Sequence, residues 1–178
     1  VAVSVDDYYV DREKTPLDDS GEYDFEALEA VDLDLFNRHL TQLLSGETVC
    51  VPRYDFTSGT RVGEDCWHTK KVGRDDVLLI EGIHALNPGL TGKVDDRLKF
   101  RIYVSALSQL SLDDSNRIST TDVRLLRRMV RDRRYRGYLA SDTLSKWASV
   151  KRGEARNIFP FQDRADVMFN STLVFEVA

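Results

Sequence analysis

Apolar positions along this chain fall into two different rhythms. Val1 to Val5, Val77 to Ile80, Phe100 to Val104 and Val167 to Phe169 are short, β-branched stretches of the kind that make strands. Segments with helical periodicity separate them, and that alternation predicts an α/β fold with a largely parallel sheet and flanking helices. From Phe25 to Leu44, the residues Leu28, Leu35, Phe36, Leu40, Leu43 and Leu44 recur near one face, and Ser45-Gly46 follows as a stop. The spacing predicts an amphipathic helix over that whole range.

From about Thr48 to Val72 the rhythm shortens around Thr57-Ser58-Gly59-Thr60, which predicts a β-hairpin projecting from the sheet. A further helix is expected from about Thr121 to Arg134, opened by Ser119-Thr120 and closed near Gly137, and another begins within Leu144 to Val150. Asp11 to Gly21, charged and holding Pro16, reads as a loop. The chain has no internal repeat and no low-complexity run.

A length of 178 residues suits one domain spanning 1–178. With 42% hydrophobic and 31% charged residues and no membrane-length apolar run, the composition is that of a soluble protein without a membrane partner. Val1 to Val5 lacks a basic leader and meets Asp6-Asp7 at once, so it reads as a strand cut from a longer chain. Cys50, Cys66 and His68 lack the paired C-x-x-C of a zinc site, and the cysteine spacing does not suggest a disulfide scaffold, which points to a reducing cytoplasm. The net charge of -5 opposes general nucleic-acid binding. Locally the sign reverses: Arg124, Arg127, Arg128, Arg131, Arg133, Arg134 and Arg136 crowd one segment, where an anion is expected. On an ideal helix Arg124, Arg128 and Arg131 share one face, and Arg127, Arg131 and Arg134 another.

Two strands end in acids. Val77-Leu78-Leu79-Ile80 runs into Glu81-Gly82 over about 77–82, the form of a Walker B strand whose carboxylate serves magnesium beside a nucleotide. Val1 to Val5 runs into Asp6-Asp7-Tyr8-Tyr9, where Asp6 is placed to accept the proton of an attacking hydroxyl. Either strand end alone is a common pattern. The two together with a downstream arginine cluster match what phosphoryl transfer requires: a metal site, a hydroxyl-orienting carboxylate and cations for the spreading charge. The phosphate cradle G-x-x-x-x-G-K-[ST] is absent, and Gly92-Lys93, followed by Val94, has the wrong spacing.

Five ordered motifs complete the picture: Ser4-Val5-Asp6-Asp7-Tyr8-Tyr9, Tyr23-Asp24-Phe25-Glu26, Pro52-Arg53-Tyr54-Asp55-Phe56, Ile80-Glu81-Gly82-Ile83 and Arg127-Arg128-Met129-Val130-Arg131-Asp132. Over nearly its whole length the chain resembles the uridine kinase and phosphoribulokinase family of P-loop kinases. Its ending, from Asn157-Ile158-Phe159-Pro160 to Ala165-Asp166-Val167, is similar to bacterial uridine-kinase-like members with extra N-terminal domains.

The resemblance implies a P-loop NTPase-like sheet without its first strand–P-loop–helix unit, with ATP and Mg2+ as cofactors and uridine or cytidine phosphorylated on the 5'-hydroxyl. It also implies a homo-oligomer as a possible assembly, and upstream domains. Asp6 becomes the catalytic base and Tyr9 lines its site. Glu26 stands where uridine kinases hold ribose hydroxyls with an aspartate, and Tyr54 matches the tyrosine that packs on the base. Glu81 becomes the nucleotide and metal carboxylate. Arg128, Arg131 and Arg136 match arginines of a lid over about 124–160, Arg128 and Arg131 acting in transfer, Arg128 also on the nucleotide and Arg136 on the acceptor. Two positions depart from the pattern: Gly59 replaces a base-reading histidine, and Tyr138 a lid arginine. They leave open a kinase for another small or phosphorylated alcohol, or a non-catalytic phosphate sensor. His84 reads as structural.

Overall fold

The computed structural model describes residues 1–19, 21–107, 111, 113–116 and 118–173. Its elements in chain order are β1 (Ala2–Ser4), α1 (Leu33–Leu44), β2 (Thr48–Val51), β3 (Tyr54–Asp55), β4 (Thr60–Arg61), β5 (His68–Lys71), β6 (Leu79–Glu81), β7 (Ile102–Ser105), α2 (Thr120–Tyr135), α3 (Ala140–Asn157) and β8 (Val167–Asn170). The expected α/β architecture is present. Its parallel ladders among the described residues are two pairs, β1 with β6 and β7 with β8.

The helix expected over 25–44 begins only at Leu33. Upstream, the backbone has other partners: the Val10 amide donates to the Ala30 carbonyl at 2.9 Å and the Asp32 amide to the Tyr8 carbonyl at 2.8 Å. Tyr9 and Val31 form a β-bridge, so Leu28 to Ala30 can fold only as a single 3-10 turn. Asp32 then opens α1 as its N-cap, accepting from the Leu35 amide at 3.0 Å. From there the apolar spacing governs, and Leu35, Phe36, Leu40 and Leu43 pack with Val3, Val5, Tyr8, Val49, Val51 and Leu90 into the core. Tyr8 meets Phe36 edge to face at 5.0 Å, and its hydroxyl bonds His39 Nδ1 at 3.1 Å.

The hairpin region is double. β2 and β5 form an outer antiparallel ladder, from Thr48 opposite Lys71 to Val51 opposite His68, and β3 and β4 pair inside it. The inner turn closes through the Gly59 amide, which donates to the Asp55 carbonyl at 2.8 Å with Gly59 at φ 73°. The supposed loop over 11–21 contains a 3-10 turn at Arg12–Lys14 and a bridge between Leu17 and Tyr23.

The helices α2 and α3 lie close to their expected places, with Ser119 capping α2 by accepting from the Asp122 amide at 3.1 Å. No helix among the described residues is long and apolar enough to cross a membrane.

Asp32 holds two structures together, because its second oxygen accepts from both terminal nitrogens of Arg61 in β4, each at 3.3 Å. Asp32→Ala should therefore destabilise the fold by about 1–2 kcal/mol. Asp32→Asn, which keeps the cap, should lose less. Urea unfolding of the two variants measures the difference.

Candidate active site

The site begins with strand register. Ser4 of β1 lies opposite Glu81 of β6 in a parallel pair, so both strands release their chains at the same end. Gly82 follows Glu81 at φ 148°, and a Cβ there would lie 2.7 Å from the Val5 Cβ, so the close approach of the two strand ends requires glycine. Val5–Tyr8 turns at once into a 3-10 turn that carries Asp6 toward Glu81. Burial raises the Asp6 carboxyl above its ordinary 3.8, the Glu81 and Asp7 charges raise it further, and Arg136 and Arg131 pull it back. Asp7 is occupied elsewhere, accepting from the Tyr54 amide at 3.3 Å. That division leaves Asp6 as the acid facing the site.

The arginines that face Asp6 are held by a residue that sequence reasoning did not single out. Asp132, 2% exposed, lies 3.5 Å from Arg128 Nε, 3.5 Å from Arg131 Nε and 3.4 Å from Arg136 Nη1. The Thr143 hydroxyl of α3 donates to Asp132 Oδ2, the oxygen that also faces Arg128, at 3.2 Å. The available signal was the four-residue spacing of Arg128, Asp132 and Arg136, which on a helix places an acid between two cations. The rest of the cluster points elsewhere: Arg124 pairs with Glu154 of α3, Arg127 donates to the Ser171 carbonyl at 3.0 Å, and Arg133 and Arg134 are exposed.

Glu26 lies against α2, with its carboxylate 3.4 Å from Arg128 Nη1. Burial raises its carboxyl, which Arg128 counteracts by charge and hydrogen bonding. Its carbonyl accepts from Asn157 Nδ2 at 2.6 Å, and its Cβ lies 2.3 Å from where a Cβ on Gly153 would stand. A side chain on α3 at that point would push the segment away.

Tyr9 and Tyr54 meet with ring centroids 5.7 Å apart, and Phe56 joins them at 6.4 and 5.1 Å. Burial, with the nearby Asp6 and Glu26 charges, keeps the Tyr9 phenol protonated. Arg136 lies over the Phe56 ring at 4.7 Å, joining the lid to the hairpin. Phe56 thus belongs to the site, although only its motif was noted. Arg61 bonds the Tyr8 and Tyr9 carbonyls at 3.3 and 3.2 Å and fixes the segment that bears Asp6. His84 is fully buried, and burial holds its pKa below the ordinary value.

Every candidate except Glu81 is therefore tied by contact or charge to the lid or hairpin, and Glu81 is joined through Asp6. Two acids at adjoining strand ends, arginines on a neighbouring helix and an aromatic hairpin thus come together on one α/β frame. The model of the phosphoribulokinase / uridine kinase family matches residues 3–178, and the chain belongs to that family. A uridine kinase of Clostridium perfringens strain SM101 is 30% identical over 148 residues, covering 83% of this chain and 62% of that protein. This chain thus spans under two thirds of that relative. A uridine kinase of Staphylococcus haemolyticus is 30% identical over 164 residues, covering 92% of this chain and 70% of that one. The fold is shared with a possible uridine kinase from Bacillus stearothermophilus, at TM-score 0.52 and 18% identity over 95% of this chain and 71% of that one.

Removing the buried centre of the lid should be costly. Asp132→Ala leaves three arginines without their shared carboxylate, and a loss of about 3–5 kcal/mol in denaturant unfolding is expected. Asp6 should behave in the opposite sense. A carboxyl whose folded pKa exceeds its unfolded value binds more protons when folded, so its contribution to stability is greatest below 3.8 and declines as pH rises through the folded value. Asp6→Asn should accordingly raise the unfolding midpoint at pH 7 and have little effect at pH 3, as measured by thermal melts at both.

Proposed function

We propose that this chain supplies the acceptor site and lid of an ATP-dependent kinase that phosphorylates the 5'-hydroxyl of a nucleoside, uridine or cytidine being the first choice. The observation that carries the reading is the meeting of Asp6 with Glu81 under the charges of Arg131 and Arg136. A base works best when its pKa approaches the working pH, and the upward shift of Asp6 moves it in that direction. Asp6 takes the proton of the attacking hydroxyl. Arg128, Arg131 and Arg136, pre-positioned by Asp132, offset the charge that spreads over the phosphoryl oxygens during in-line transfer. Tyr9, Tyr54 and Phe56 provide a flat apolar surface for a base, and Glu26 beside Arg128 a polar edge for sugar hydroxyls.

Magnesium fits the residues present. No group of three or more His, Cys, Asp or Glu side chains suited to a metal occurs among the described residues. Mg2+ commonly rests on one or two carboxylates, completing its shell with water and phosphate oxygens, and Glu81 at its strand end can serve as such a ligand. When bound there, the ion would neutralise phosphate charge.

A phosphorylated alcohol is the second reading, favoured by Gly59, which offers no side chain to discriminate among bases. Relative rates on uridine, cytidine and ribulose 5-phosphate separate the two.

In the full-length protein, Asp6→Asn should lower kcat about a hundredfold or more and leave ATP binding nearly intact. An unchanged kcat would remove Asp6 from the mechanism. These 178 residues contain no G-x-x-x-x-G-K-[ST] cradle, so the same residues purified alone should bind ATP feebly and transfer nothing. Magnesium-dependent transfer by the 178 residues alone would overturn the reading.

A further inference from the structure

The hairpin turn holds an arginine that nothing described so far employs. Arg12 leaves its 3-10 turn and lays its guanidinium on Gly59: a Cβ at Gly59 would lie 2.5 Å from Arg12 Cζ and 2.6 Å from Nε and Nη2. The space that a side chain at position 59 would enter is thus already filled by a cation from another segment. Backbone pairing makes the placement firm, since the Arg12 amide donates to the Gly59 carbonyl at 2.9 Å and the Arg61 amide to Asp11 Oδ1 at 3.2 Å.

Among the described residues the Arg12 guanidinium has no hydrogen bond and no ion pair. Its obvious partner, Asp11, is occupied: Oδ1 by the Arg61 amide and Oδ2 by Lys14 Nζ at 2.9 Å. Arg12 is nevertheless half-buried and close enough to Tyr54 for its charge to act on that phenol, alongside Asp11 and Tyr138. Asp6 acts on Tyr9, Tyr9 touches Tyr54, and Tyr54 feels Arg12. Arg12 therefore stands at the Tyr54 side of the aromatic group and Asp6 at the Tyr9 side.

A guanidinium offers only donors, in a rigid planar fork, and cannot accept. Beside an aromatic surface it favours a flat ring with an oxygen at its edge, and it discriminates against an edge that offers an amino group. We propose that Arg12 is the specificity-determining residue of the acceptor site, selecting a heterocycle that turns a carbonyl oxygen rather than an amino group toward the hairpin. Uridine is then preferred to cytidine. This rests on the nucleoside-kinase reading of the site and specifies its substrate further.

The test is kcat/KM of the full-length protein for uridine, cytidine and ribulose 5-phosphate at saturating ATP and magnesium. The wild type should favour uridine, and Arg12→Ala should lower its kcat/KM for uridine about ten- to a hundredfold through KM, with cytidine changed much less. Gly59→Asn provides a second route to the same end. Asparagine tolerates the left-handed backbone, and its side chain would displace the guanidinium, so the uridine preference should fall there too. Arg12→Lys, with a charge but no fork, should lie between. A uridine-to-cytidine ratio unchanged in Arg12→Ala or in Gly59→Asn, or a wild type that favours cytidine, overturns the assignment while leaving the kinase reading in place. A loss in Arg12→Ala confined to ribulose 5-phosphate would mean that the guanidinium holds a phosphate, which also overturns it. If the wild type phosphorylates no nucleoside, the site reading and this inference fall together.

Discussion

The pairing of Ser4 with Glu81 across two parallel strands sets the problem that the rest of the molecule answers. It delivers two carboxylates, Asp6 and Glu81, to one strand end, where burial and the neighbouring Glu81 charge raise the Asp6 carboxyl above its ordinary value. Such a site needs positive charge brought from elsewhere. The chain brings it on α2, and arginines crowded together for that purpose repel one another in turn. Burial and the charges of Arg136 and Arg128 hold the Arg131 pKa below its ordinary value. Asp132 relieves the crowding from beneath, with Thr143 fixing its orientation. Acid, cation and acid thus succeed one another inward from the site, each layer compensating the one outside it.

Much of this was legible in the sequence, and particular residues show why. Glu81-Gly82 at the end of an apolar run announced a strand end, and the glycine proved necessary for the two strand ends to approach. The arginine density announced a strongly cationic helix, which α2 is. What could not be read was which arginines converge, because that depends on α3 drawing Arg124 aside through Glu154 and on the segment at Ser171 engaging Arg127. Both partners lie tens of positions away in the sequence, beyond any periodic pattern. The late start of α1 has the same origin. Leu28 obeys helical spacing, yet the backbone from Ala30 to Asp32 is already hydrogen-bonded to the strand exit at Tyr8 to Val10. Periodicity describes side chains and is silent about that competition.

The aromatic hairpin and the turn that bears Asp6 are also less independent than their separation along the chain suggests. Asp7 bonds the Tyr54 amide, Arg61 bonds the Tyr8 and Tyr9 carbonyls, and Asp32 ties Arg61 to the start of α1. Polar groups on the turn that bears Asp6 are thereby committed to structure, and Asp6 is left over. A reactive group is often recognised in this way, by what its neighbours are doing.

The clasp between Glu26 and α3 has a mechanical implication. Arg128 grips the Glu26 carboxylate from above, Asn157 grips its carbonyl, and Gly153 lets its Cβ come into contact. The segment that bears Glu26 and the helices α2 and α3 are therefore mechanically joined. Any displacement of α2 and α3 must carry Glu26 along or break the clasp. A substitution that loosens the packing of α2 or α3 would therefore also shift the carboxylate and backbone of Glu26.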